Sequence, residues 1–412
     1  MKVEGPRPTH PSHAQGGALD GASPTPRTLG AGPWKWPGRP PLRVWVWTAA
    51  TVTLVVVAAL LWRGSDAAAT ESTTAAPADV PSGTPADAVS EAWSADGGPL
   101  PEDVVEGGRV VVGSAHGVHA LDVVTGVEAW HYTRSNARLC GLTATNGLAV
   151  AVFATEDRCD EAVALRADTG VRAWTRNVSL RGDAELDSTD RILLATSPTG
   201  LVTFDPTGNN LRWRYVPPDG CSITGTEVGS AGVAVLQRCD GADALQLRLL
   251  DGFGGDPRWT RDLPAAEGAD VRLLGADELL GVLVGDEVQA LAAADGALRQ
   301  RLRAAGDVQQ LTSGAVTLLR TGGTLSALDV SSGTPLWEAP AIGLPSATVP
   351  DKDEAAPDVL LVPDEDGFAH RDSATGAVLA RSAAGDLPAG GVATGVGPGV
   401  VYRLPDEVLG YR

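Results

Sequence analysis

The chain has 412 residues, 43% of them apolar, and a formal net charge of −19. That is enough material for a sizeable core, in one large domain or two ordinary ones. The acidic balance excludes nucleic acid as a partner, because phosphate binding needs a basic surface.

Residues 1–43 are rich in Pro, Gly and polar residues without helical or strand periodicity, and are expected to be a disordered leader. Six basic residues there (Lys2, Arg7, Arg27, Lys35, Arg39 and Arg43) face only Glu4 and Asp20. Residues 44–62, VWVWTAATVTLVVVAALLW, hold no charge over 19 positions, the length of a transmembrane helix. Trp45, Trp47 and Trp62 stand at its two ends, where amphipathic rings prefer the headgroup region. A basic flank before the span and an acidic one after it put the N-terminus in the cytoplasm and the rest outside, in a single-pass cell-membrane protein. Residues 44–412 carry 26 basic and 49 acidic residues, a net −23 that repels anionic headgroups. Residues 63–86, RGSDAAATESTTAAPADVPSGTPA, are expected to be a flexible linker without core-forming residues.

From residue 87 the chain offers short apolar or alternating runs, among them RVVVGSA, LAVAVFA, RILLATS, GVAVLQR, LLGVLVG and DVLLVP. Gly, Asp, Asn or Pro clusters separate them, which is the pattern of an all-β fold. Within it one phrase recurs. ALDVVTGVEAW ends at Trp130, and Asp122 precedes that tryptophan by eight residues. Asp205 and Trp213, Asp251 and Trp259, and Asp329 and Trp337 keep the same spacing. The copy ending at Trp174 has Arg166 in the aspartate position and keeps Gly170. Two copies are degenerate, with Gln300 after Gly296 and with Ala380 after Asp372 and Gly376.

Successive tryptophan positions are 37 to 46 residues apart, the period of a four-stranded propeller blade. The aspartate accepts backbone N–H groups and closes a turn, the glycine takes the φ > 0 position, and the chain reverses into the strand bearing the tryptophan. That ring suits the seam between blades, since a blade cannot bury both its faces alone. A strand, then A-L-D, two variable residues, T-G, three variable residues and W resembles the repeat of the quinoprotein-like (PQQ-type) β-propellers, whose blades carry a tryptophan docking motif. The docking positions would be Trp93, Trp130, Trp174, Trp213, Trp259 and Trp337.

The resemblance covers residues 87–412 and implies either a quinone-dependent dehydrogenase or a non-catalytic scaffold of the envelope. The dehydrogenases hold a metal ion and use a catalytic aspartate, and the alcohol-oxidising ones have adjacent bonded cysteines. This chain has no Cys-Cys pair and no match to the cofactor-gripping positions, so no cofactor, metal ligand or catalytic residue is expected. The histidines at 116, 119, 131 and 370 show no metal-ligand spacing. In RGDAELDSTD, residues 181–190, Asp183, Glu185 or Asp187 can turn toward a central channel or stay solvated. PDKDEAAPD, residues 350–358, reads as an inserted loop. The expected function is that of a membrane-tethered, extracytoplasmic binding module for another envelope protein, with a quinone-binding dehydrogenase or sensor as the alternative.

All four cysteines follow the span, in the compartment where disulfides persist. Cys140 and Cys159 bracket one strand pair, with Asn146-Gly147 as its hairpin, and Cys221 and Cys239 bracket an analogous pair. Both placements predict local bonds, Cys140–Cys159 and Cys221–Cys239, as one device used twice. The blade count comes from the two ends of the repeat region. Residues 389–412 supply three short strands and no tryptophan strand, while Trp93 stands 37 residues before Trp130. Residues 88–95 are therefore expected to complete the last blade of an eight-bladed ring.

Overall fold

The computed structural model describes residues 41–155, 158–208, 210–241, 244–265, 268–346 and 359–412. The chain divides into two compact units, residues 1–60 and 61–412. The described part of the first, residues 41–60, forms most of the helix Leu42–Arg63, which has no buried side chain. At 1.5 Å per residue its 22 residues are long and apolar enough to cross a membrane. Thr48, Thr51 and Thr53 donate their hydroxyls to the carbonyls four residues back, so no hydroxyl along the helix lacks a partner.

The second unit is an eight-bladed β-propeller whose strands form eight separate sheets. Blade 1 contains Val105–Glu106, Arg109–Ser114, Gly117–Asp122 and Glu128–Arg134, from the innermost strand outward. Blades 2 to 6 follow in the same order over residues 138–180, 185–215, 221–264, 271–303 and 308–340. Blade 7 shows three strands over residues 359–383, and the expected inserted loop at 350–358 lies outside the described residues. Blade 8 takes Val392–Val396, Gly399–Arg403 and Glu407–Tyr411, and its outer strand is Glu91–Asp96, paired antiparallel with Glu407–Tyr411. The end of the chain and the start of the folded region thus share one sheet, and no blade is left with an open third strand.

Eight apolar clusters hold the ring, one in each seam. Alternation along a strand feeds two seams at once. In Gly232–Cys239, Val233 and Val235 face blade 3, while Ala234 and Leu236 face blade 5. Strands covered on both faces need apolar residues at every position, which explains the unbroken run of Val, Ala and Leu there.

Both disulfides form in the expected pairs, Cys140–Cys159 and Cys221–Cys239. They are not one device repeated. Cys221 and Cys239 face each other directly across two neighbouring strands of blade 4. Cys140 lies on the innermost strand of blade 2 and Cys159 on the third, so that bond passes over the strand between them.

The stretch after the helix carries regular structure that its composition does not announce. Asp66–Ala69 is a helical turn, and Thr70–Ser72 adds a fifth strand to blade 1 beside Tyr132–Arg134. Farther on, Ala75 donates to Thr169 in blade 2, Arg109 donates to the Ala76 carbonyl, and Val89 donates to Ala383 in blade 7. These contacts are made by backbone and short side chains, which leave no apolar period in the sequence.

Candidate functional site

The recurring phrase builds one joint, repeated around the ring. In blade 1 the Asp122 carboxylate accepts the N–H groups of Val124 and Thr125 at 3.2 and 2.9 Å, while Gly126 N–H returns to the Asp122 carbonyl at 2.9 Å. Asp205, Asp251, Asp329 and Asp372 close their turns in the same way. Hydroxyls strengthen the grip. Ser331 and Ser332 donate to Asp329, and these bonds hold its carboxyl down at about 2.

The tryptophan of each blade then crosses to the turn of the next. Trp130 donates Nε1–H to the Ala167 carbonyl at 2.8 Å, Trp174 to Pro206 at 3.1 Å and Trp213 to Gly252 at 3.0 Å. Trp259 donates to Ala293 and Trp337 to Ser373, both at 2.8 Å. In each case the acceptor is the residue after the aspartate position. For Trp130, Trp213, Trp259 and Trp337 the ring lies on the turn glycine, whose missing side chain makes room. A Cβ on Gly255 would come 2.6 Å from Trp213, and one on Gly376 would come 2.7 Å from Trp337. Trp93 covers Gly126 in the same manner and closes the circle. Where Ala380 replaces tryptophan, the third and outer strands of blade 8 come from distant parts of the chain. No turn joins them, so no glycine needs a ring above it.

The inner strands line a channel that contains a cavity of about 560 Å³. Glu102 and Asp103 reach it from the segment before blade 1, Asp190 from blade 3 and Asp277 from blade 5. Asp187 on blade 3 is hydrogen-bonded to Glu102 and accepts the Val228 N–H of blade 4 at 3.3 Å. Glu227 of blade 4 lies within reach of the Asp187 and Glu102 charges.

Burial first, and then the neighbouring negative charges of Asp187 and Asp103, pushes Glu102 up to about 8. Glu227 is likewise pushed up to about 8 by burial and by Asp187 and Glu102. Asp103, Asp187 and Glu106 are raised for the same first reason. Glu102 and Asp103 keep exposed surface although protein surrounds them, so their field is partly screened by solvent. The charge of Arg403 opposes the rise at both Glu102 and Asp103. This arrangement holds protons and attracts cations, and among the described residues no group of three or more His, Cys, Asp or Glu is placed to grip a metal ion.

Of the three acidic positions singled out in residues 181–190, only Asp187 joins the carboxyl cluster by hydrogen bond. Asp183 is exposed and paired with Arg181 at 2.9 Å, and exposed Glu185 acts only by its charge on Glu227. Glu102, Asp103 and Glu227 escaped sequence reading, because nothing local marks a residue that ring closure brings to the axis. The histidines are dispersed or turned to structural bonds. His116 meets the Ala137 carbonyl at 2.7 Å, and His119 and His131 share the two oxygens of Glu128. Burial lowers His370, which lies near Ser382.

Residues 58–226 and 245–395 match the family described as outer membrane protein assembly factor BamB, and the chain belongs to that family. No curated protein matches it. Among solved structures, BamB from Moraxella catarrhalis is 16% identical, covers 79% of this chain and 99% of its own, and superposes with a TM-score of 0.50. The computationally designed Ika8 protein is 11% identical over 81% of this chain and 99% of its own, with a TM-score of 0.46. The quinohemoprotein alcohol dehydrogenase ADHIIG of Pseudomonas putida HK5 is 13% identical over 79% of this chain and 76% of its own, with a TM-score of 0.42. At these identities the likeness is one of fold.

Proposed function

We propose that the protein is a membrane-tethered, extracytoplasmic scaffold that binds other envelope proteins and performs no catalysis of its own. The observation that carries this reading is the family match, which runs through nearly the whole propeller and names an assembly factor. The tryptophan joints support it, because the repeated residues serve the ring itself and leave its outer surface to partners. The basic leader and acidic exported part support an N-terminus in the cytoplasm and a propeller outside it. The channel carboxyls need no resident cofactor in this reading.

Two measurements test it. Proximity labelling from the propeller in intact cells should mark a small set of envelope proteins, and labelling no stronger than that of a freely exported control protein would count against a scaffold. The purified protein, mixed with pyrroloquinoline quinone and Ca²⁺, should reduce no dye with alcohols or sugars. Steady turnover there would replace this proposal with a dehydrogenase.

A further inference from the structure

The outer strands of the propeller are unequal in charge. Those of blades 2 to 5 read RAWTRNVSL, LRWRY, PRWTRDLP and LRQRLR, with nine arginines and a single acid, Asp262. Those of blades 6, 7, 8 and 1 read PLWEAP, VLARSA, EAWSAD and EAWHYTR, with two arginines and four acids. A chain of net charge −19 thus gathers an arginine half-belt along four consecutive rims.

Part of that belt serves the fold. Arg212, Arg258 and Arg299, each just before the tryptophan position, pair with the carboxylates of their own turns, Asp205, Asp251 and Asp295. Such local pairing does not extend to Arg172, Arg214 and Arg303. These three are exposed, stand on blades 2, 3 and 5, and form no ion pair among the described residues, Glu287 opposite Arg303 being paired with Arg301. Exposed apolar side chains accompany them. Val171 is 47% exposed, Val216 73% and Phe253 54%, and the Arg212 guanidinium lies 4.6 Å from the Phe253 ring centre.

We infer that this half-belt is a docking surface for an acidic, partly apolar segment of a partner protein, an inference that rests on the scaffold reading above. The guanidinium fork takes carboxylates in bidentate fashion, and arginine beside an aromatic is the composition of protein interfaces. Charge complementarity selects an acidic occupant. The acidic balance of the exported part disfavours an anionic lipid surface, which leaves a polypeptide as the occupant.

The test uses the full chain in detergent micelles and a fluorescent peptide of alternating glutamate and valine. The wild type should bind the peptide, and added salt should weaken binding. Combined Arg172→Glu, Arg214→Glu and Arg303→Glu should weaken it at least about tenfold, while Arg412→Glu outside the belt should not. Should the reversed variant fold poorly, the combined Arg→Gln variant, checked by thermal melting, should show the same ordering with a smaller loss. Equal binding by wild type and belt variants would overturn the inference, as would no peptide binding by the wild type. Binding to phosphatidylglycerol vesicles in preference to the peptide would make the belt a lipid surface and overturn it too. Proximity labelling separates the two proposals. Unchanged labelling by the belt variant sinks the belt alone, and labelling absent in the wild type sinks the scaffold.

Discussion

Trp93 lies over Gly126, and this contact joins the last blade to the first. The ring belongs to the outer strand of blade 8 and the glycine to the turn of blade 1, which has a φ of 68° and no room for a Cβ. Trp93→Ala would remove the ring from an apolar cluster that includes Val110, Val401 and Val408. Truncations of this kind cost about 3 kcal/mol. Urea unfolding of the full chain should show that loss with an unchanged slope. Deleting residues 399–412, which hold two of the blade 8 strands, should abolish cooperative melting. A variant that melts like the wild type would show that the seam between blades 8 and 1 does not hold the ring.

The two disulfides close loops of 19 and 18 residues and should each contribute about 3 kcal/mol through loop closure. Replacing Cys140 and Cys159 with serine should add to the loss from Cys221 and Cys239, since the pairs lie in blades 2 and 4 and share no apolar seam. Chemical unfolding of the two double variants and the quadruple variant measures this. Strong non-additivity would show coupling through blade 3.

Stability should depend on pH in two opposite ways. Glu102 and Glu227 rise from 4.5 to about 8 in the folded protein, so the native state keeps protons that the unfolded chain has released. Their stabilisation is full below pH 4.5 and is lost as pH rises through about 8. Asp329 falls from 3.8 to about 2, so its contribution is present above 3.8 and is lost as pH falls through 2. The melting temperature should therefore decline from pH 5 to pH 9, and Glu227→Gln should flatten that decline. A variant with the same slope as the wild type would remove Glu227 from the cause.

Much of this architecture is written locally. Asp122, Gly126 and Trp130 each act within one turn or on the adjoining blade, so a fixed spacing reports both the turn and the seam. Trp93 was legible because it stands one period before Trp130. The channel was not, because Glu102, Asp187 and Glu227 meet only after blades 1, 3 and 4 have closed on one axis. The stretch from Asp66 to Val89 was equally silent. Its added strand depends on the free edge of blade 1, which no property of TES announces.

Gln300 occupies a tryptophan position, yet restoring the ring there should harm the protein. The seam between blades 5 and 6 keeps the turn of Asp329 and the glycine at 333, with a φ of 74°. What differs is the neighbour. At Gly126, Gly170, Gly255, Gly296 and Gly376 the atoms nearest the turn glycine belong to a tryptophan ring. Here a Cβ on Gly333 would come 2.6 Å from the Arg299 Cβ and 3.8 Å from its carbonyl carbon. The outer strand of blade 5 thus stands against the turn glycine where a ring lies in those seams, and an apolar cluster around Leu319 and Leu328 fills the seam. Gln300→Trp must force this seam apart, and overpacking of that kind costs about 2 kcal/mol. Trp337→Gln, made in a seam built around its ring, should instead leave a void and cost about 3 kcal/mol. Thermal and urea unfolding of the two variants decide the matter. A stabilised Gln300→Trp protein would mean that the seam is merely unfilled, with the space for the ring still open.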